Sequence, residues 1–247
     1  MGVMSREFEI GKEVVLDATP EQVWQAIATP EGTAGWLWPV EIEPEPGGQA
    51  GEGASVVAVW EPGKRLVIKA PGAAEGTLDA FEYLIEARDG GSTVLRFVHS
   101  GVLADDWDDD YESLTGHGWD MYLHTLGQYL KYFAGRPATY VEAEGPAASA
   151  DPGAFRLLLD ALGLTEFALG DRVRLTPDGL APIEGVVDYV VPPVDGQPVF
   201  LGVRAADAMY RFHGRAVLGM PIAVGHHFYG EPDAPSAWHD LLERALG

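Results

Sequence analysis

The chain of 247 residues contains no cysteine. This absence excludes disulfides, thiolate nucleophiles and cysteine-ligated metal sites, and it is typical of a cytoplasmic protein. Basic residues are also scarce, since 16 Lys and Arg stand against 38 Asp and Glu and give a formal net charge of −22. Such a chain repels phosphate backbones and anionic membrane surfaces, so we expect neither nucleic-acid nor membrane binding.

Long apolar runs are missing as well. No uncharged apolar stretch reaches the roughly 18 residues that a membrane-spanning helix needs. The N-terminal stretch "MGVMSREFEIGKEVVLDAT" lacks a basic region followed by an apolar one, so it does not read as a secretion signal. We therefore expect a soluble, cytoplasmic protein of one large or two modest domains, and its low lysine content amid abundant Ala, Gly, Asp and Pro suggests a bacterial source.

The first half of the chain predicts the element order β-α-α-β-β-β-β-β-α. Two short helices begin where Thr19 and Thr29, each followed by proline, can act as caps. The five central strands are predicted from short β-like runs separated by Pro and Gly, namely "VEIEP", "ASVVAVWEP", "KRLVIKAP", "GTLDAFEYLIEAR" and "STVLRFVHSG". A long helix, "GHGWDMYLHTLGQYLKYF" (116–133), closes this half.

The long helix carries a broad apolar stripe at spacings of three and four residues. Such a stripe faces the sheet, either as ordinary core or as one wall of a ligand cavity. The helix contains three glycines, Gly116, Gly118 and Gly127, and each lowers helix stability by about 1 kcal/mol relative to alanine. Close approach to a strand, a bend or room for a ligand would offset this loss. The stripe consists of Trp119, Tyr122, Leu123, Leu126, Tyr129, Leu130 and Phe133.

The second half is predicted to be a separate domain. Residues 141–151, "VEAEGPAASAD", lack periodicity and read as a linker between a domain at 1–140 and one at 152–247. The latter predicts the order α-β-β-β-β-α, with Asp151 capping its first helix. Because "EGTLD" (75–79) is echoed by "EGVVD" (184–188), and both halves end a strand series in a helix, a degenerate duplication is indicated.

The first half resembles the SRPBCC (START-like) superfamily, and within it the branch homologous to the C-terminal domain of the activator of the heat-shock protein 90 ATPase. The resemblance covers about residues 6–137 and depends on "TPEQVW", "PEGTAGWLWP", "HSGVLADDW" and "GWDMYLHTLGQYL". It implies an α+β helix-grip fold, in which a curved antiparallel sheet wraps around the long C-terminal helix and encloses a largely apolar cavity. Residues 152–247 look like a smaller, truncated and degenerate copy of the same fold.

The resemblance implies less about function than about fold. Members of the superfamily bind lipids, polyketides, hormones or other hydrophobic molecules, some act as cyclases or hydrolases, and many bacterial members of this branch have no known activity. Large amphipathic rings suit the mouth of a half-open apolar site, so Trp36, Trp38 and Trp107 are predicted to lie there, with His99 or Asp120 orienting a ligand. The full set of pocket candidates, each of which could equally belong to the core, is Trp36, Trp38, Trp60, Phe81, Phe97, His99, Trp107, Trp119, Asp120, Tyr122, Leu123 and Leu126.

Motifs for catalysis or cofactor binding are not found in the sequence. His99, His117 and Asp120 could act as general bases only if they faced an enclosed substrate, and there is no "GxSxG" motif. The glycine-rich "GGQAGEGA" has neither the GxGxxG nor the Walker spacing. We therefore predict no catalytic residues and no cofactor.

Metal binding is not predicted either. The acidic run at residues 105–110 lacks the glycine and the distal glutamate of an EF-hand loop. His226 and His227 are neighbours on a predicted strand, so their side chains point to opposite faces and cannot share an ion.

Three functions are compatible with these observations. The leading hypothesis is non-catalytic binding of a small hydrophobic molecule between the sheet and the long helix. The first alternative is a co-chaperone-like or regulatory protein whose acidic surface meets a basic protein partner. The second is a cyclase- or hydrolase-type enzyme that uses the same cavity, and formation of a homodimer is left open.

Overall fold

The chain folds as two compact α+β units, Met1–Arg136 and Pro137–Gly247, each with one antiparallel sheet. The computed structural model describes residues 6–72, 77–88, 90–103, 111–191 and 199–247. Within these ranges, every helix is too short or too polar to cross a membrane.

The first unit is a five-stranded sheet with a long helix at its C-terminal end. The strand order is β1-β5-β4-β3-β2, and all neighbours are antiparallel. The long helix α3 packs against β1 and buries Leu123, Leu126 and Leu130. The elements are β1 (Arg6–Leu16), α1 (Pro20–Ala28), α2 (Pro30–Thr33), β2 (Val56–Glu61), β3 (Arg65–Pro71), β4 (Leu78–Ala87), β5 (Thr93–Leu103) and α3 (Tyr111–Tyr132).

The two short helices begin where the sequence predicts. The Thr19 hydroxyl accepts the backbone N–H of Gln22, and the Gln22 side chain accepts the N–H of Thr19, which is a complete capping box. The Thr29 hydroxyl accepts the N–H of Gly32 in the same manner, at 3.0 Å. Proline occupies the first turn of both helices, where a backbone donor is not needed.

Two predictions for the first unit are wrong, one of a strand and one of the start of a helix. The run "VEIEP" does not form a strand, because it contributes only the isolated bridge between Ile42 and Ala50. Among the described residues between α2 and α3 there are four strands rather than the five predicted. Pro44 and Pro46 remove two backbone donors that a strand ladder would use. The long helix starts at Tyr111 rather than at residue 116, since "YESLT" contains no glycine or proline to prevent it.

The second unit is a six-stranded sheet packed against two helices. Its strand order is β6-β11-β10-β9-β8-β7. The core lies between the sheet and the helices and includes Leu158, Phe212, Trp238 and Leu242, all fully buried. The elements are β6 (Thr139–Glu144), α4 (Ala154–Ala161), β7 (Arg172–Leu175), β8 (Ile183–Val191), β9 (Val199–Ala205), β10 (Ala208–Gly214), β11 (Ala223–Phe228) and α5 (Pro235–Leu246).

The stretch predicted as a linker, 141–151, contains part of a strand instead. Thr139–Glu144 forms β6, pairs with β11 and buries Val141. A strand whose partner lies so far along the chain leaves no local signal in an Ala- and Glu-rich sequence. The described residues of the second unit form six strands rather than the four predicted, because β6 precedes α4 and the run "PVFLGVRAADAMYRFHGR" forms two strands, β9 and β10. The helix α4 begins at Ala154 with Gly153 as its cap, while the Asp151 carboxylate accepts the N–H of Gly153 at 2.7 Å.

The two sheets share one topology. In each, the first strand lies beside the last, the remaining strands follow in reverse order, and a helix ends the unit. This order supports the prediction that the second unit is a copy of the first fold. The short sequence echo does not relate the units, because "EGTLD" ends on β4, the third strand in its sheet, whereas "EGVVD" lies on β8, the fifth in the other.

Candidate functional site

Five aromatic rings meet where β4 and β5 face α3, and we call them the aromatic cluster. Phe97 and Trp119 have ring centroids 4.2 Å apart, Phe81 and Trp119 lie at 5.9 Å, and Tyr122 is 5.9 Å from Trp119. His99 stacks on Phe81 with centroids 4.4 Å apart and an interplanar angle of 20°. The cluster therefore joins the inner face of the sheet to the first half of the long helix.

Strand register explains why these rings meet. Alternate residues of a strand point to the same face, so Asp79, Phe81 and Tyr83 share the inner face of β4. In the antiparallel ladder, Phe81 lies directly opposite His99 and Tyr83 lies opposite Phe97. A shift of one residue would turn all of these side chains to the outer face.

The aromatic cluster is only partly covered by protein. Phe97 and His99 are buried, with 0% and 4% exposure, whereas Phe81, Trp119 and Tyr122 are half-buried. Three large aromatic residues are thus partly exposed beside two buried ones. An ordinary core would cover them, so this arrangement is suited to contact with an additional apolar group.

A polar pair lies within the aromatic cluster. Trp119 Nε1 donates to His99 Nδ1 at 3.2 Å, so the neutral imidazole carries its proton on Nε2. That Nε2 is 3.6 Å from Asp79 Oδ2, which is too long for a direct hydrogen bond. Both His99 Nε2 and Asp79 Oδ1 are buried without a hydrogen-bond partner. Each such atom lowers the stability of the folded state by about 1–3 kcal/mol, so buried polar atoms without partners are rare and indicate a role other than stability.

Gly101 makes room for the Asp79 carboxylate. The Asp79 side chain is 14% exposed and reaches toward the backbone of β5. A Cβ at position 101 would collide with Asp79 Oδ1 and would lie 2.7 Å from Cε1 of Phe8. Glycine is therefore required here for close approach rather than for an unusual backbone conformation.

Electrostatics keep His99 neutral. Burial lowers the pKa of His99 below its ordinary value, and the attraction of the Asp79 carboxylate only partly opposes that effect. The bond from Trp119 also disfavours a second proton on Nδ1, because two N–H donors would then face each other. The site consequently presents one donor, His99 Nε2–H, beside one acceptor, the Asp79 carboxylate.

Several predicted pocket residues lie away from this pair. Trp36 is fully buried and donates from Nε1 to the Ala26 carbonyl at 2.9 Å, so it is a core residue and not a mouth residue. Trp60 packs edge-on against Trp24, 4.9 Å away. Leu123 and Leu126 are buried in the core.

The remaining candidates have separate environments. Trp38 is 45% exposed and lies edge-on to Tyr122 at 5.9 Å, so it borders the aromatic cluster. Asp120 pairs with Lys12 at 2.7 Å beside an open groove of about 370 Å³ between β1 and α3, and His117 lies 4.0 Å from it. Asp120 thus binds a lysine rather than facing the cluster. Trp107 and the acidic run at 105–110 lie outside the described residues.

Asp79 is the functional candidate that the sequence analysis missed. A signal for it is present in "LDAFEYLIEA", where an acidic residue falls in phase with Phe81, Tyr83 and Ile85 on the apolar side of an alternating strand. A carboxylate at such a position is costly to bury, which is why it points to a function.

The second unit has a comparable pair of residues at the same place in its topology. His226 on β11 packs against Trp238 on α5, with ring centroids 4.3 Å apart. Its Nδ1 accepts the backbone N–H of Arg211 at 3.0 Å, and burial lowers the pKa of His226 well below its ordinary value. Both rings are fully buried among Tyr210, Phe212 and Phe228.

The other face of β10 holds a buried ion pair. Arg211 donates to Asp188 through Nη1 at 3.0 Å and Nη2 at 2.8 Å, and the two side chains are 1% and 5% exposed. His227, on this same face, lies 5.2 Å from the ring of Tyr140, so the neighbouring histidines do point to opposite faces, as predicted. Over the described part of the chain, no group of three or more His, Asp or Glu side chains is placed to hold a metal ion.

Comparisons with known proteins identify the first unit. Residues 17–131 match the family model for Activator of Hsp90 ATPase homolog 1-like proteins. A sequence comparison with curated proteins gives no significant match.

Solved structures that resemble the chain have low sequence identity. A protein from Mesorhizobium loti is 20% identical, with 51% of this chain and 98% of that one covered and a TM-score of 0.43. The Aha1 dimer from Colwellia psychrerythraea is 19% identical over 50% of this chain and 96% of that one, with a TM-score of 0.38. DynU16, from the dynemicin biosynthetic locus, is 14% identical over 93% and 91%, with a TM-score of 0.44. The family match, together with the sequence motifs, supports the resemblance of the first unit to the Activator of Hsp90 ATPase homolog 1-like branch of the SRPBCC type.

Proposed function

We propose that the first unit binds a small, largely apolar molecule against the aromatic cluster, without performing chemistry on it. The observation that carries this proposal is the combination of three half-buried rings with two buried polar atoms that lack partners. A ligand with an apolar body and one polar group would cover the rings and bond to the polar atoms. Binding sites for small molecules commonly have this composition.

The expected affinity follows from the area that the rings offer. A ligand that buries about 200 Å² of apolar surface gains about 5 kcal/mol at 25 cal/mol per Å². The loss of translational and rotational freedom offsets much of that gain. Apolar contact alone therefore supports weak binding. Hydrogen bonds to His99 and Asp79 would supply the rest of the binding free energy and the selectivity.

The test uses a neutral fluorescent probe, N-phenyl-1-naphthylamine, whose emission rises in apolar surroundings. Being uncharged, the probe is not repelled by the acidic chain. We expect Phe81→Ala and Tyr122→Ala to weaken probe binding at least five-fold, because both rings border the accessible surface of the cluster. Tyr132→Ala is the matched control, since Tyr132 is 44% exposed at the far end of the same helix. Equal affinity in all four proteins, or no saturable binding to the unmodified chain, would refute the proposal.

The charge of the chain favours a second candidate function. With a formal net charge of −22 and a family named for an Hsp90 ATPase activator, the chain could act as a co-chaperone-like protein that binds a basic surface of such an ATPase. Binding to the Hsp90-type ATPase of the same cell should then weaken as ionic strength rises. Absence of binding at low ionic strength would exclude this candidate while leaving ligand binding untouched.

A further inference from the structure

We propose that the ligand of the aromatic cluster is a hydroxylated aromatic molecule, held through its hydroxyl group by His99 and Asp79. This inference rests on the proposed function and adds the chemical class of the ligand. It follows from three features of the polar pair: the fixed tautomer of His99, the separation of the pair, and the rings that surround it.

The tautomer supplies a hydrogen-bond donor. Because Trp119 Nε1 donates to His99 Nδ1, the proton of the neutral imidazole lies on Nε2. His99 is 4% exposed and Phe81 stacks on it, so the ring is held in position and Nε2–H has no partner. A ligand atom at this nitrogen must therefore accept a hydrogen bond.

Asp79 supplies the acceptor. An ionised carboxylate accepts hydrogen bonds only, and Asp79 Oδ1 is buried without a donor. Gly101 allows the carboxylate to lie close to β5 and thereby near His99 Nε2. A ligand atom beside Asp79 must therefore donate.

The distance between His99 and Asp79 allows one ligand atom to accept a hydrogen bond from His99 and to donate one to Asp79. His99 Nε2 is 3.6 Å from Oδ2, the other oxygen of the same Asp79 carboxylate, too far for a direct bond, yet one ligand oxygen placed between them can reach both atoms at about 2.8 Å. A hydroxyl group accepts from His99 and donates to Asp79. An ether or ketone cannot donate, an ammonium cannot accept, and a carboxylate is repelled by Asp79.

The surroundings favour an aromatic body. The partly exposed rings in contact with His99 are Phe81 and Trp119, and Phe8 lies edge-on to His99 at 5.0 Å. Edge-to-face and offset-stacked contacts add about 0.5–1.5 kcal/mol to the burial of an aromatic ring. A phenol or a naphthol combines such a ring with the hydroxyl that the pair requires.

The experiment compares three probes that differ in one group: 2-naphthol, 2-methoxynaphthalene and naphthalene. Their dissociation constants for the full chain are measured by calorimetry or by displacement of N-phenyl-1-naphthylamine. We expect 2-naphthol to bind at least ten-fold tighter than 2-methoxynaphthalene. In Asp79→Leu that preference should fall below two-fold while naphthalene still binds. Glu82→Gln is the matched control, because Glu82 is on the same strand, pairs with Arg65 on the other face, and should leave the preference intact.

Each outcome separates this inference from the proposed function. If none of the three probes binds, the proposed function fails and the inference with it. If all three bind with equal affinity, the proposed function stands and the hydroxyl assignment is overturned, with water rather than a ligand occupying the polar pair. An unchanged preference for 2-naphthol in Asp79→Leu would also overturn the assignment. Asp79→Asn, which is isosteric and keeps one acceptor, should give an intermediate preference and serves if the leucine variant does not fold.

Discussion

The two units place a histidine of the last strand against a tryptophan of the C-terminal helix, but they use the pair differently. In the first unit, Trp119 donates to His99, whose other nitrogen faces Asp79 in a half-open cluster. In the second, His226 takes a backbone N–H and packs against Trp238 in a fully buried core. Both units hold buried polar atoms without partners, His99 Nε2 and Asp79 Oδ1 in the first and His226 Nε2 and Trp238 Nε1 in the second. The comparison teaches that this topology positions a histidine and a tryptophan, whereas the exposure of the neighbouring rings decides between a half-open cluster and a closed core.

The largest expected difference concerns the two tryptophans. Trp238→Ala should lower the free energy of unfolding by about 4 kcal/mol, because the removed ring is fully buried against three other rings. Trp119→Ala should lower the free energy of unfolding clearly less, since Trp119 is only half-buried in the folded protein. Urea unfolding of both variants measures the two effects. Equal losses would contradict the contrast between a closed and a half-open cluster.

The second largest expected difference is between the effects of replacing Asp188 and Asp79 on the free energy of unfolding. Asp188→Asn leaves the buried guanidinium of Arg211 without its counter-charge and should cost about 3 kcal/mol of unfolding free energy. Asp79→Asn removes no hydrogen bond to Oδ1, so it should change stability by less than about 1 kcal/mol or raise it. Denaturation midpoints of the two variants at neutral pH provide the measurement. A large loss in Asp79→Asn would mean that Asp79 serves the fold and not a ligand.

Acid should weaken the second unit more than the first. The pKa of His226 lies well below its ordinary value of 6.5 and that of His213 falls to about 3, mainly through burial. Below pH 6.5 the unfolded chain binds protons that these folded histidines do not, so the free energy of unfolding falls as the pH falls. His99 contributes in the same direction. Unfolding midpoints from neutral pH to about pH 4.5 should decline less steeply in His226→Phe, and an unchanged slope would count against this assignment.

The smallest expected effect tests whether the helix glycines serve the site. A Cβ at Gly127 would meet Leu16 Cδ2 at an ordinary contact distance of 3.7 Å. Gly127→Ala should therefore raise the free energy of unfolding by up to about 1 kcal/mol, as measured by thermal or urea unfolding, without changing probe affinity. Weaker probe binding in this variant would show that the glycine makes room for a ligand.

Local signals in the sequence predict much of the first unit. Thr19 and Thr29 identify the starts of α1 and α2 because capping is an interaction between near neighbours. The apolar stripe identifies the buried face of α3, where Leu126 and Leu130 are buried as expected. Each of these features depends on residues a few positions apart, so the sequence carries it directly.

Non-local pairing explains what the sequence does not predict. The strand β6 forms only because β11 lies beside it, and "VEIEP" fails to become a strand because no partner continues its single bridge. The pairing of Asp79 with His99 depends likewise on the register of β4 against β5 and on the space left by Gly101. Loop closure and ladder register set these contacts, and neither is encoded in a short window of residues.

By itself the sequence determined the family resemblance of the first unit, the long helix with its apolar face, and a strongly acidic chain without cysteine. Only the tertiary structure decided that Trp36 is core, that Asp120 binds Lys12, and that a buried donor and acceptor meet among half-open rings. The physical reason is that periodicity and capping act along the chain, whereas an unsatisfied polar pair arises only when separate strands and a helix come together.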